Sequence, residues 1–123
     1  MKTKPQGYKD LNVWQKGIEL AKLSYTITVQ FPSEEKFGLV SQMRRAAVSI
    51  PANIAEGQAR QTTGEFIQFI SHAEGSVAEL DTQLILATEL AFCRETDACS
   101  AFELIDELRH MLNVLRRKLI SRG

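Results

Sequence analysis

The chain is poor in cysteine, proline and net charge, and it has no long apolar run. Cys93 and Cys99 are the only cysteines among 123 residues, and they flank the segment RETDA in an expected loop. Nothing at the start, MKTKPQGYKD, reads as an export signal, so both thiols are expected to be reduced. No Cys or His pair stands nearby to complete a zinc site. Three prolines and seven glycines leave no composition for a long disordered region. No window approaches about 18 uninterrupted apolar residues, which excludes a membrane span. The expected compartment is the cytoplasm. Fifteen basic residues balance fifteen acidic ones, so the surplus that general nucleic-acid binding calls for is missing.

Reaction signatures are missing too. There is no nucleophile elbow, phosphate loop or dinucleotide fingerprint, and no cofactor is expected. A di-iron bundle needs two Glu-x-x-His motifs. Glu107 and His110 supply one, but Phe69 stands where the partner of His72 would need a glutamate. Leu108 and Leu112 face the expected core, which turns Glu107 and His110 outward. His72 with Glu79 is the one pair worth weighing as general base and partner.

What is present is helical periodicity. With 44% hydrophobic and 24% charged residues, the balance is that of a globular domain with a modest core. Four patterns of three- and four-residue steps follow one another, with no comparable strand alternation. The first runs from about Asp10 to Phe31 on two apolar strips: Leu11, Trp14, Ile18, Ala21 and Tyr25, and beside them Leu20, Leu23, Ile27 and Phe31. Pro32 ends it, and Ser33 with Glu34 and Glu35 suits the start of the next. The second helix places Phe37, Val40, Met43, Ala47, Ile50 and Ile54 inward and ends at Gly57. Thr62 and Glu65 form a capping box for the third, whose seam is Phe66, Ile70, Ala73, Val77, Leu80, Leu84, Ala87 and Ala91. The fourth starts between Thr96 and Ala101, with Ser100 and Glu103 as a further box, and continues on Phe102, Ile105, Leu108, Leu112, Leu115 and Leu119. Short joints make neighbours antiparallel. The expected fold is all-α: an up-down-up-down four-helix bundle over residues 10–123, preceded by a flexible segment, 1–9.

The run SIPANIAEG, Ser49 to Gly57, sits inside the second helix. Pro51 removes the amide that would bond the Ala47 carbonyl, at a cost of about 3 kcal/mol if nothing compensates. The apolar phase nevertheless continues through it, so the helix is expected to be kinked and continuous rather than broken. Its other face carries Arg45, Ser49, Asn53, Glu56 and Arg60. On the third helix His72, Ser76, Glu79 and Gln83 form a similar stripe beside Gly75. Ser, Asn and Gly are poor choices for an exposed helix, so the stripes read as a polar seam or an oligomer contact in preference to a plain solvent face or a ligand site.

Charge is segregated. Residues 61–100 hold seven acids and one base, Arg94, which favours packing against basic segments of the same chain or of another copy. Arg109, Arg116, Arg117, Lys118 and Arg122 gather toward the C-terminus. They either complement the negative helix end or form a patch for RNA or DNA phosphates.

The runs RRAAVSIPANIAEG and GEFIQFISHAEGSVAEL, with the opening YKDLNVWQKGIEL, resemble the four-helix bundle proteins encoded in intervening sequences of bacterial 23S ribosomal RNA genes. The resemblance covers nearly the whole chain, and SIPANIAEG is its most specific block. It implies an antiparallel bundle that assembles into a homopentamer around a central channel, without an established catalytic activity. Related accessory variability proteins of diversity-generating retroelements are strongly basic and contact nucleic acid and a reverse transcriptase, whereas this chain carries no net charge. The functional expectation is therefore a homo-oligomeric scaffold or adaptor, with a nucleic-acid-binding accessory protein as the alternative.

Overall fold

A computed structural model describes residues 7–122. Four helices account for most of them: α1 (Asn12–Thr28), α2 (Leu39–Gln58), α3 (Thr63–Glu89) and α4 (Glu95–Arg122). Short 3-10 turns at Gly7–Asp10 and Ser33–Glu35 precede α1 and α2. Of the segment 1–9, residues 1–6 lie outside the described residues. No strand occurs among those described.

Each helix exists because an inward stripe recurs at helical spacing and is taken out of water by its neighbours. From α2, Met43, Ala47, Ile50 and Ile54 are buried. Ile70, Ala73, Val77, Leu80 and Leu84 of α3 join them, with Ile105, Leu108 and Leu112 of α4. α1 buries Val13, Gly17, Leu20, Ser24, Ile27 and Thr28, a different face from the first of its two expected strips. Leu11, Trp14, Ile18 and Ala21 are only half-buried, and Tyr25 is exposed. Ser24 and Thr28 enter the core because their hydroxyls donate back to the Leu20 and Ser24 carbonyls, each at 2.8 Å. A buried hydroxyl satisfied by its own helix loses little relative to water.

Sequential helices touch along their length, and α4 returns to α1. Arg44 Nε donates to Thr28 Oγ1 (2.9 Å), and Gly17 lies against Pro51. Ser49 meets Ser76, and Gly57 meets Phe66 and Phe69. Asp81 pairs with Arg109 at 3.1 Å and Glu74 with Arg116 at 3.0 Å. Lys16 pairs with Glu107 at 3.5 Å, and Gln30 Nε2 donates to Asp97 at 2.9 Å. The diagonal pairs, α1 with α3 and α2 with α4, bring no Cα atoms within 8 Å of each other among the described residues.

Several expected boundaries move. α2 begins at Leu39 rather than near Ser33, because Ser33–Glu35 closes a separate turn. The Glu35 carboxylate then accepts the Leu39 amide at 3.2 Å, serving the new helix start. Phe37 falls in the gap and is 89% exposed, so it is not part of the core. α4 starts at Glu95, a turn before the expected Ser100–Glu103 box: the Asp97 and Ala98 amides already bond the Arg94 carbonyl. Cys99 therefore sits in a helix, not a loop. The Thr62–Glu65 cap forms as expected, with Thr62 Oγ1 accepting the Glu65 amide at 3.1 Å.

At the far end of α3, Phe92 N–H bonds the Ala87 carbonyl (2.9 Å) and Ala91 N–H bonds that of Thr88 (3.0 Å). This is a Schellman stop, which puts Ala91 in the left-handed region at φ 59°. That is why Ala91 does not extend the α3 seam. Its methyl group is strained there. Ala91→Gly is expected to raise stability by about 0.5–1 kcal/mol after the extra freedom of glycine in the unfolded chain is subtracted. Urea unfolding checks it, and an unchanged or lower midpoint contradicts it.

Candidate functional site

The α2–α3 seam starts from a backbone problem. Pro51 lies inside α2, which nevertheless runs unbroken from Leu39 to Gln58. The proline ring is buried, and α1 presents Gly17 to it: a Cβ on Gly17 would sit 3.3 Å from Pro51 Cβ and 3.4 Å from its ring Cδ. The absence of a side chain lets α1 cover the turn whose amide is missing, so packing offsets part of the proline cost. Asn53 Nδ2 donates to the Ser49 carbonyl at 2.8 Å, a second bond within the same stretch of α2 and not one to the Ala47 carbonyl that the proline leaves free.

Ser49 is the point where the stripes of α2 and α3 join. Its hydroxyl lies 2.8 Å from the Ala46 carbonyl and 2.5 Å from the Ser76 hydroxyl. A serine hydroxyl has one proton; when Ser49 donates to Ala46, Ser76 supplies the proton of the inter-helix bond. About two turns further toward the C-terminus of α2, Gly57 closes the seam. A Cβ there would fall 2.7 Å from Phe69 Cβ and 2.9 Å from Phe66 Cδ1. Arg60 lies over the Phe69 ring, 4.8 Å from its centroid.

Within one chain, then, Ser49 and Ser76 meet across the seam, Asn53 bonds its own helix, and Arg60 covers an α3 aromatic. Arg45 and Glu56 are exposed and make no ion pair among the described residues. Glu79 is exposed and accepts from Gln83 Nε2 at 3.4 Å, while the buried Gln83 Oε1 has no partner among the described residues. Gly75 has open space where a side chain would be. No helix of this chain is the partner its bare backbone was expected to receive.

The C-terminal cations divide. Arg109 pairs with Asp81 and Asp106, and Arg116 with Glu74, so two of the five hold α4 to the acidic helix α3. Arg117, Lys118 and Arg122 are exposed, and Lys118 faces α1 beside Leu11 and Val13. His72 is exposed and packs edge-on to Phe69, 5.9 Å between centroids. Glu107 pairs with Lys16, not with His110. Among the described residues no group of His, Cys, Asp and Glu is placed to hold a metal ion, and no helix is long and apolar enough to cross a membrane.

The two thiols differ. Burial, and then the nearby Asp97 carboxylate, push the Cys93 thiol above its usual pKa, while Cys99 is exposed. The thiolate is the nucleophile, so a raised pKa means less of it at any pH near 8. Iodoacetamide is expected to modify Cys99 several-fold faster than Cys93 at pH 8, with the Cys93 profile displaced to higher pH. Peptide mass mapping reads this directly, and equal rates contradict it.

Fold and seam together define a small all-helical protein whose polar residues are laid out along helix faces rather than gathered in a cleft. More particularly, residues 9–114 match the model of the 23S rRNA-intervening sequence protein family, and the chain belongs to that family. No curated protein matches it. A crystal structure of a protein with unknown function from the S23 ribosomal protein family of Bacteroides thetaiotaomicron is similar in fold. The TM-score is 0.76 at 23% identity, over 85% of this chain and 97% of that one.

The expected seam missed Gly17, whose role depends on facing Pro51 from another helix. A glycine within the otherwise continuous α1 pattern was the available signal.

Proposed function

We propose that this chain is a non-enzymatic cytoplasmic scaffold or adaptor that works as a homo-oligomer, a pentamer by family resemblance, with the outer face of α2 and α3 turned toward neighbouring copies. The observation that carries this is Gly75. A glycine in mid-helix costs about 1 kcal/mol relative to alanine, yet apart from its own turn of α3 no described residue lies within 4 Å of where its Cβ would be, which supports a second molecule as the reason for the bare backbone. Arg45 and Glu56, exposed and without an ion pair among the described residues, support the reading. An up-down-up-down antiparallel order belongs to it as well, supported by the pairings Thr28–Arg44 with Gly17–Pro51, and Asp81–Arg109 with Glu74–Arg116. Light scattering at micromolar concentration tests the assembly; a monomer refutes it.

A bend of α2 at Pro51 is part of the same proposal. Pro51→Ala restores an amide and relaxes the turn, so it is expected to lower the particle mass while the monomer stays folded. Native mass spectrometry beside circular dichroism checks this, and an unchanged mass separates the proline from assembly.

The second reading is nucleic-acid binding through Arg117, Lys118 and Arg122, favoured by their lack of ion pairs among the described residues. Multimerisation would repeat this small patch and raise its avidity. A salt titration of RNA and DNA binding decides: no binding at low salt removes it.

A further inference from the structure

Two exposed apolar surfaces lie beside the polar stripes, the first sharing Arg45 and Ser49 with the stripe of α2. The first is an open groove of about 640 Å³ on the outside of α1 and α2. Tyr25, Phe37 and Val48 line it, exposed by 44%, 89% and 45%. Its charged residues are all cations: Lys36, Arg44 and Arg45. Arg44 and Lys36 lie over the Tyr25 and Phe37 rings, at 4.5 and 5.5 Å. The second is the outer side of α3 near its C-terminal end, where Ile85, Leu86 and Leu90 are 44–51% exposed. Glu79 and Glu89 flank them, and no lysine or arginine occurs between Gln61 and Cys93.

Neither surface suits a copy of itself. Groove against groove would bring three cations to face three, and α3 against α3 would oppose carboxylates. Groove against α3 pairs opposite charges around apolar centres. The two surfaces also lie at one end of the bundle: Phe31 packs against Phe92 with 5.6 Å between centroids and the rings tilted by 53°, and Gln30 bonds Asp97. The turn before α2 and the end of α3 are thus level. A sideways step from one copy to the next brings them together without sliding the bundles lengthwise.

We infer that the occupant of the α1–α2 groove is the α3 end of a second copy of this chain, with Leu86 and Leu90 seated against Phe37 and Tyr25. The contact joins unlike surfaces, so each copy retains one free groove and one free α3 end, and assembly continues until a ring closes. This rests on the self-assembling reading above and adds the surfaces through which it occurs.

Phe37→Ser and Leu86→Ser are expected each to weaken association by at least about 30-fold, as for a central interface residue. Both side chains are solvent-exposed, so the unfolding midpoint of the monomer should hold. In a Cys93→Ser, Cys99→Ser background, Val48→Cys chains mixed with Leu90→Cys chains should be joined by a short bismaleimide, while either chain alone should not be. A wild-type oligomer with monomeric variants and cross-links only between unlike chains supports the inference. A wild-type oligomer unaffected by both substitutions, or cross-links between like chains, overturns it and leaves self-assembly standing. A wild-type monomer overturns both and assigns the basic groove to a different, acidic partner.

Discussion

Gly57→Ala is expected to destabilise the fold by about 1–2 kcal/mol, while Gly75→Ala in the neighbouring helix stabilises the monomer by about 1 kcal/mol. Both exchanges add one methyl group to a helical glycine, and both gain about 1 kcal/mol from the better helix propensity of alanine. Only the surroundings differ. At Gly57 the new Cβ meets Phe69 Cβ at 2.7 Å and Phe66 Cδ1 at 2.9 Å; at Gly75 it meets nothing within 4 Å. Phe69 Cβ is tied to the α3 backbone and cannot rotate aside. The helices must separate or the Phe66 ring must leave its place, and overpacking of this kind costs 1–3 kcal/mol or somewhat more. Urea unfolding of the two variants under conditions that keep the protein monomeric decides it. Equal shifts, or a stabilised Gly57→Ala, would mean that α2 and α3 do not approach as described. Gly75→Ala has a second readout: if another copy covers this position, the same methyl group lowers the particle mass.

A larger loss is expected at the centre of the bundle. Leu108 is 0% exposed and belongs to the α4 stripe that closes the core against its neighbours. Leu108→Ala removes three buried carbons and leaves a cavity that long packed helices relax around only in part. The expected cost is about 3–4 kcal/mol, a large share of the 5–15 kcal/mol that holds a typical domain together. Phe37→Ala removes more apolar carbon and is expected to change monomer stability by less than about 0.5 kcal/mol, because that ring is already in solvent. Paired denaturation curves test the contrast. A cost for Phe37→Ala comparable to that of Leu108→Ala would place Phe37 in the core after all.

That contrast shows where sequence reading stops. Phe37 and Val40 stand three residues apart in one apolar pattern, and the pattern alone makes both inward. The separate turn at Ser33–Glu35 and the irregular Gly38 backbone, at φ −108° and ψ −110°, take Phe37 out of register. Periodicity reports the phase of a helix and not where the helix begins. The same limit explains Ser100, an acceptable cap residue that lies a turn inside α4. It also explains α1, where Ser24 and Thr28 point inward because their hydroxyls satisfy themselves on the helix backbone. The Thr62 cap, by contrast, was legible, since cap and acceptor amide lie within three residues of each other and need no third element.

For the candidate site the division is similar. The stripe Arg45, Ser49, Asn53, Glu56 and Arg60 could be listed from its spacing, but its internal bonds could not. Asn53 turns to its own helix, Ser49 reaches Ser76, and Arg45 and Glu56 reach out of the chain. Arg109 and Arg116 read as a basic cluster until α3 brings Asp81 and Glu74 beside them. Charge along a chain is a property of sequence; charge available to a partner is what remains after the folded neighbours have neutralised the rest.

By itself the sequence determined that this protein is helical, that it has four such segments, that α2 passes through a proline, and which family it belongs to. Each of these depends on residues close together in the chain or on a contiguous motif. Tertiary structure alone decided that Gly17 would receive Pro51, that Gly57 would meet Phe69 Cβ and the Phe66 ring, that Phe37 would stay out of the core, and that Asp81 and Glu74 would take up part of the basic cluster. Those outcomes depend on which distant residues arrive at the same place, and three- and four-residue periodicity carries no information about the partner on the other side.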